Sequence, residues 1–314
     1  MKLKLTRRQF GQLAIASTVA AGIGYLAKRT SAQTSLVIYG VSAGPVNFSD
    51  TTDLGGKEKD THAGPPVTLS IPLTLNMTLS IPLTLNIQSY VVAGNSINQV
   101  ATHEVLNSNE QISGFTYLTN NTPVVTINPT NGSSNENDPT RLVVLDSSLR
   151  TVKLSALNQQ EKLVGLVGIN DSECLGLVTK KNGGPPAQLV NINVQTGEIT
   201  DKDQLDMSEN QRYSTLAWCP DGTIYTISLA PDGTSTLVQL NQDTGGRNNL
   251  ARLSFNNSDW NGGVQSLICA PGKQLFLLGK RRYEGRFYLH SLEPSSGKIT
   301  RITEFNVSQI AVLP

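Results

Sequence analysis

The chain is poor in the residues that most catalysis and metal binding draw on. Of its 314 residues, three are histidine and three are cysteine. His62, His103 and His290 are far apart, which gives no zinc-ligand spacing, and each reads as structural or exposed rather than as a ligand. No Gly-x-Ser-x-Gly elbow, glycine-rich phosphate loop or paired-cysteine motif is present. No catalytic residue can therefore be nominated, and no motif implies a cofactor or a metal site, although a divalent cation held by scattered oxygen ligands is left open. Charge is also sparse, at 16% of residues. The formal net charge of +1 is misleading, because residues 1–32 hold six basic side chains and no acidic one, which leaves 19 basic against 24 acidic residues in the remainder. A body with a net charge of −5 lacks the basic footprint that a phosphate backbone requires, which argues against nucleic acid as a partner. Long apolar runs are missing as well. The longest, residues 13–27, has about 15 positions, short of the roughly 20 that span a bilayer.

That run and its flanks have the layout of an export signal. A charged start precedes it, Gly22 and Gly24 lie within it, and Thr30, Ser31 and Ala32 form a small-residue cleavage site. No cysteine follows for lipid attachment, so the mature chain is expected to begin near Gln33 with no stable membrane span. Thr6, Arg7, Arg8 and Phe10 match the twin-arginine (Tat) signal, which the segment resembles, although Gly11 and Gln12 replace its usual Leu-Lys pair. The resemblance implies passage through the twin-arginine translocase in the folded state. The destination is then the periplasm, or the thylakoid lumen of a photosynthetic source.

What the body does contain is repetition. Residues 163–175, 214–225 and 264–276 each read as an apolar strand, a tight turn and a second strand. Each is followed by a third strand that ends in a glycine turn, at Gly197, Gly245 and Gly297. Cys219 and Cys269 are 50 residues apart and the glycines 48 and 52. A four-strand unit at this period is a β-propeller blade. Residues 111–118, 123–128, 141–146 and 151–156 alternate apolar with polar side chains and make one further blade. Residues 307–313 begin a unit that strand 35–41 would complete, closing the ring and removing its exposed edges. The expected fold is therefore all-β, one propeller domain over residues 33–314 with five or six four-stranded blades. Residues 68–110 are the source of the sixth.

An irregular and duplicated insert is expected over about 42–87. Residues 68–76 recur identically as 78–86, and the even ten-residue period puts the leucines and isoleucines on one face of an extended chain. Pro72 and Pro82 lack an amide hydrogen, which suits an edge position. The segment is either a ribbon that pairs with a partner or, more simply, a duplicated strand lying along the propeller. Cys219 and Cys269 fall at matching places on adjacent blades, and blade spacing argues against a bridge between them. Free buried thiols are expected.

Loops on a rigid scaffold carry binding residues. Those joining second to third strands (180–186, 230–233, 280–286) and blade to blade (203–213, 255–263) should gather on one face. They nominate Trp260 with Asp259 as a recognition point, Arg281 and Arg282 as a clamp for a carboxylate or an acidic surface, and Arg212, Tyr213 and Tyr283 as rim contacts. Each nomination has a plainer counterpart: Trp260 as a lid on the core beneath its loop, the arginines as a solvated hairpin tip. The turn Pro220 to Tyr225 resembles the repeat of propellers that include lactonases and quinoprotein-like domains. That likeness covers about residues 163–304, without the calcium or histidine channel residues of the first or the tryptophan docking motif of the second. Three functions follow as expectations: a non-enzymatic scaffold for a protein or complex of the cell envelope, a metal-dependent hydrolase or lactonase, and a small-molecule or glycan binder.

Overall fold

The computed structural model describes residues 36–43, 83–106, 110–129, 140–158 and 160–314. The nominated export residues Arg7, Arg8 and Phe10, together with His62, Pro72, Pro82 and the first copy of the duplication, lie outside them. Among the described residues the secondary structure is all strand and turn, arranged as a five-bladed β-propeller.

Blade I is the closing one. It runs outward from the channel as β23 (Gln309–Val312), β1 (Val37–Ala43), β2 (Leu83–Val91) and β3 (Ser96–Leu106). Blade II is β4 (Glu110–Tyr117), β5 (Pro123–Pro129), β6 (Arg141–Val144) and β7 (Arg150–Lys153). Blade III is β8 (Glu161–Gly168), β9 (Glu173–Lys180), β10 (Ala187–Asn193) and β11 (Ile199–Leu205). In blade IV the innermost strand is split into β12 (Arg212–Tyr213) and β13 (Ala217–Trp218), both paired with β14 (Ile224–Leu229), and β15 (Ser235–Leu240) and β16 (Arg247–Arg252) follow. Blade V is β19 (Gly262–Ala270), β20 (Gln274–Arg281), β21 (Tyr288–Leu292) and β22 (Lys298–Glu304). The small hairpin β17 (Ser254–Phe255) and β18 (Ser258–Asp259) is added beyond β22.

Each blade packs a face against both neighbours, so its strands are buried on two sides and read as nearly continuous apolar runs. Leu142, Val143 and Val144 of β6 are all fully buried for this reason, with Leu142 and Val144 in the core shared with blade III and Val143 in that shared with blade I. Five such cores, one per blade boundary, close the ring. The N-terminal strand β1 pairs antiparallel with β23, from Ile38 opposite Val312 to Val41 opposite Gln309, as ring closure requires.

Two of the alternatives that the sequence left open fall away here. Among the described residues, those from 68–110 build no sixth blade. Their described part supplies β2 and β3 of blade I, because β23 and β1 alone would leave that blade two strands short. The described end of the second duplicate copy is not an edge ribbon either. Leu85 and Asn86 lie in β2, paired with β1 on one side and β3 on the other, and Leu85 is fully buried.

The repeated glycine turns join third to fourth strands, and their side chains explain the sequence pattern. Asn193 Oδ1 accepts the amides of Gln195 and Thr196, and Asn241 Oδ1 that of Thr244. Thr196, Thr244 and Ser296 hydroxyls then accept the amides of Glu198, Gly246 and Lys298. The glycines have φ between 66° and 75°, and a Cβ at any of them would lie 1.9 to 2.3 Å from a carbonyl oxygen of the preceding blade, that of Lys153, Gln204 or Arg252. The turn is therefore a docking point between blades as well as a reversal of the chain.

Candidate functional site

Both ends of the channel are open depressions of different character. The first lies at the turns joining first to second strands, has a volume of about 330 Å³, and is lined by Tyr117, Ile169, Trp218, Pro220, Pro271 and Leu313 among others. Burial pushes the Tyr117 hydroxyl far above its ordinary pKa, with Tyr39 beside it adding to the effect.

Cys219 and Cys269 lie in the wall of this end and form a disulfide, their Cα atoms 5.1 Å apart. This overturns the expectation of free thiols. Blade spacing is wide at the rim, but innermost strands converge on the axis, where the Cα separation falls within the range a bridge requires. Cys174 alone remains a thiol; it is buried, and burial raises its pKa, which leaves it inert.

The second depression, of about 300 Å³, lies at the opposite end, where innermost strands begin and the long connections gather. Gln111, Ser113, Lys162, Asn182, Arg212 and Gln265 contribute polar groups to it from blades II to V. Arg212 is exposed and donates to the carbonyl of Asn182 across the β9–β10 connection. Lys162, at the start of β8, is half-buried. Burial, and then the charge of Arg212, lower its pKa below the usual lysine value.

The nominated residues divide between this mouth, the β20–β21 hairpin and the β17–β18 hairpin. Tyr213 borders the mouth but is only 1% exposed, and its hydroxyl donates to the Asp206 carbonyl at 3.2 Å, so it is a wall and not a rim contact. Trp260 is likewise 1% exposed, which corrects its nomination as a recognition surface. Asn256 and Asn257, at φ 51° and 61°, turn the chain sharply between β17 and β18, and the Trp260 amide then donates to the Leu253 carbonyl at 2.8 Å. The indole is thereby driven inward against Phe255 and His290, over Gly279, where a Cβ would come within 3.1 Å of the ring. Asp259 stays exposed and pairs with Arg252 at 3.5 Å.

Arg281 is half-buried. Its guanidinium lies 5.5 Å from the Phe255 ring centre and donates to Asn261 Oδ1 at 3.3 Å, while its amide donates to Glu284 Oε2 at 2.9 Å. Arg301 covers the same ring at 5.4 Å and pairs with Glu284. Arg281 thus braces the hairpin and does not form a clamp with Arg282. Arg282 and Tyr283 do stand free at its tip, the guanidinium 5.7 Å from the ring centre and Tyr283 88% exposed. The tip adjoins the mouth, since Arg281 pairs with Gly262, which lines it.

Sequence reasoning missed Lys162 and Trp218. Lys162 opens an innermost strand instead of occupying a loop, and Trp218 lies inside a repeat that looked wholly structural. Among the described residues no group of three or more His, Cys, Asp or Glu side chains could hold a metal ion.

The class these features define is a five-bladed β-propeller with a polar, cation-bearing channel mouth. Neither a protein-family model nor a curated protein matches the chain. Among solved structures it is similar to a protein of unknown function from Bacteroides caccae, with 11% identity and a TM-score of 0.42 over 73% of this chain and 94% of that one. It is also similar to putative TolB from Agrobacterium tumefaciens, with 13% identity and a TM-score of 0.42 over 73% and 80%. A luciferin-regenerating enzyme matches at 11% identity and a TM-score of 0.41 over 72% of each chain. Likenesses this distant carry no argument about activity.

Proposed function

We propose that this chain is an exported β-propeller that acts as a binding module without a chemical step of its own, docking a protein of the cell envelope on its loop-bearing face. The observation that carries the reading is Tyr283, 88% exposed at the tip of a hairpin beside the channel mouth, with Arg282 next to it. Tyrosine and arginine are the side chains most enriched among residues that dominate binding energy, and both offer large contact area. Export is supported by the N-terminal segment and by the Cys219–Cys269 disulfide, since stable disulfides belong to oxidising compartments. A chain carried folded through the twin-arginine translocase would close that bond afterwards, between two cysteines that the ring already holds together.

A second reading, a binder of small molecules, finds support in the turn-side cavity, which Trp218 and Tyr117 line and Trp260 does not. Affinity purification of the tagged mature protein from its own envelope, with mass spectrometry of proteins and metals, separates these readings. The docking reading expects a stoichiometric protein partner. A monomer carrying a divalent metal would replace it with a metal-dependent hydrolase, and a monomer carrying an organic ligand would favour the turn-side cavity.

A further inference from the structure

The loop-side mouth carries unbalanced charge. Among the described residues, Lys162 and Arg212 are its only charged lining. Of the neighbouring carboxylates, Glu110 is held by Arg141 through two contacts of 2.7 and 2.8 Å, and Glu161 Oε2 accepts the Asn158 amide at 3.0 Å. The outer groove that shares Arg212 also contains Lys180 and Glu209, so charge of both signs lies there. Among the described residues no carboxylate lines the mouth, the Lys162 ammonium forms no hydrogen bond or ion pair, and the Arg212 guanidinium forms no ion pair.

An ammonium and the free edge of a guanidinium together match the lone pairs of one carboxylate, which accepts at two oxygens. At about 300 Å³ the space exceeds what a bare ion needs and lies at the lower end of small-ligand sites.

We propose that the loop-side mouth is a carboxylate-binding site in which Lys162 and Arg212 supply the charge and the hydrogen-bond donors. Its ligand is the carboxylate of a small organic acid or of an acidic side chain on a docked protein. The inference deepens the assignment of this face as the binding face, but it can be tested without a partner. Titration calorimetry of the mature protein with citrate at low ionic strength should show saturable uptake. Lys162→Met and Arg212→Gln should each weaken uptake at least tenfold, with unchanged circular dichroism, whereas Arg282→Gln, at the exposed hairpin tip, should leave it within twofold. Absence of saturable uptake by the wild type would overturn the proposal. So would an equal loss in Arg282→Gln, which would make the effect one of diffuse charge.

With a captured partner, displacement by citrate would assign the carboxylate to that partner, and co-occupancy would assign it to a free acid. Citrate uptake by a protein that captures no partner would leave the site standing and remove the docking reading.

Discussion

Trp260 and His290 meet edge to face, 5.4 Å between ring centres, and the indole nitrogen is buried without a hydrogen bond. Burial first, and the charge of Arg301 second, lower the His290 pKa from 6.5 to about 4. The unfolded chain therefore binds the proton more readily than the folded one between those values. Stability from this group is complete above about pH 6.5 and is lost as pH falls toward 4, by up to about 3 kcal/mol. Urea denaturation between pH 7 and 4 should show that slope, and His290→Leu should flatten it. For Trp260→Ala the expected loss is about 3–5 kcal/mol of stability, read from the urea midpoint. An unaffected midpoint would place the ring at the surface after all. The burial of Trp260 was not legible from Asp259 and Asn261, which are polar and exposed. It is set by the reversal at Asn256 and Asn257, a pair suited to positive φ. Lys162 escaped notice for a related reason: a strand residue becomes a mouth residue only when five strand starts converge.

At the scale of elements, the Asn-x-x-Thr-Gly turns were readable because they are local. Their reach into the preceding blade was not, since only the assembled ring brings Gly245 against the Gln204 carbonyl. Gly245→Ala forces a left-handed φ of 66° on alanine as well as that contact, and should cost more than about 1 kcal/mol, measured by thermal unfolding. The same distinction explains the disulfide. Repeat equivalence placed Cys219 and Cys269 correctly on neighbouring blades, but the convergence of innermost strands at the axis is a property of the closed ring. Bridging 50 residues constrains the unfolded chain by about 4 kcal/mol on the loop-entropy estimate. Cys219→Ser is expected to lower unfolding stability by up to that amount while leaving the native circular dichroism intact. Thiol titration of the denatured, unreduced wild type should find one free thiol, Cys174; three would contradict the bridge.

For the molecule as a whole, the period of about 50 residues and the N-to-C closure strand were both legible in the sequence, because each blade repeats the same burial on both faces. The blade count was less so, since β2 and β3 share a closing blade with the last strand and carry no repeat signature of their own. Ring closure makes the two ends of the channel unlike. One is built from short turns and stapled by the disulfide, and the other from strand starts and long connections, among which lie Lys162, Arg212 and Tyr283. The central claim is that partners dock on the second end. The most direct test is lysine cross-linking of the tagged mature protein in its native envelope, with the linked peptides mapped by mass spectrometry. The account predicts that partner links concentrate on Lys162, Lys180, Lys181 and Lys280 and disappear with Tyr283→Ala. Links centred instead on Lys273, in the turn joining β19 to β20, or links indifferent to Tyr283, would contradict it.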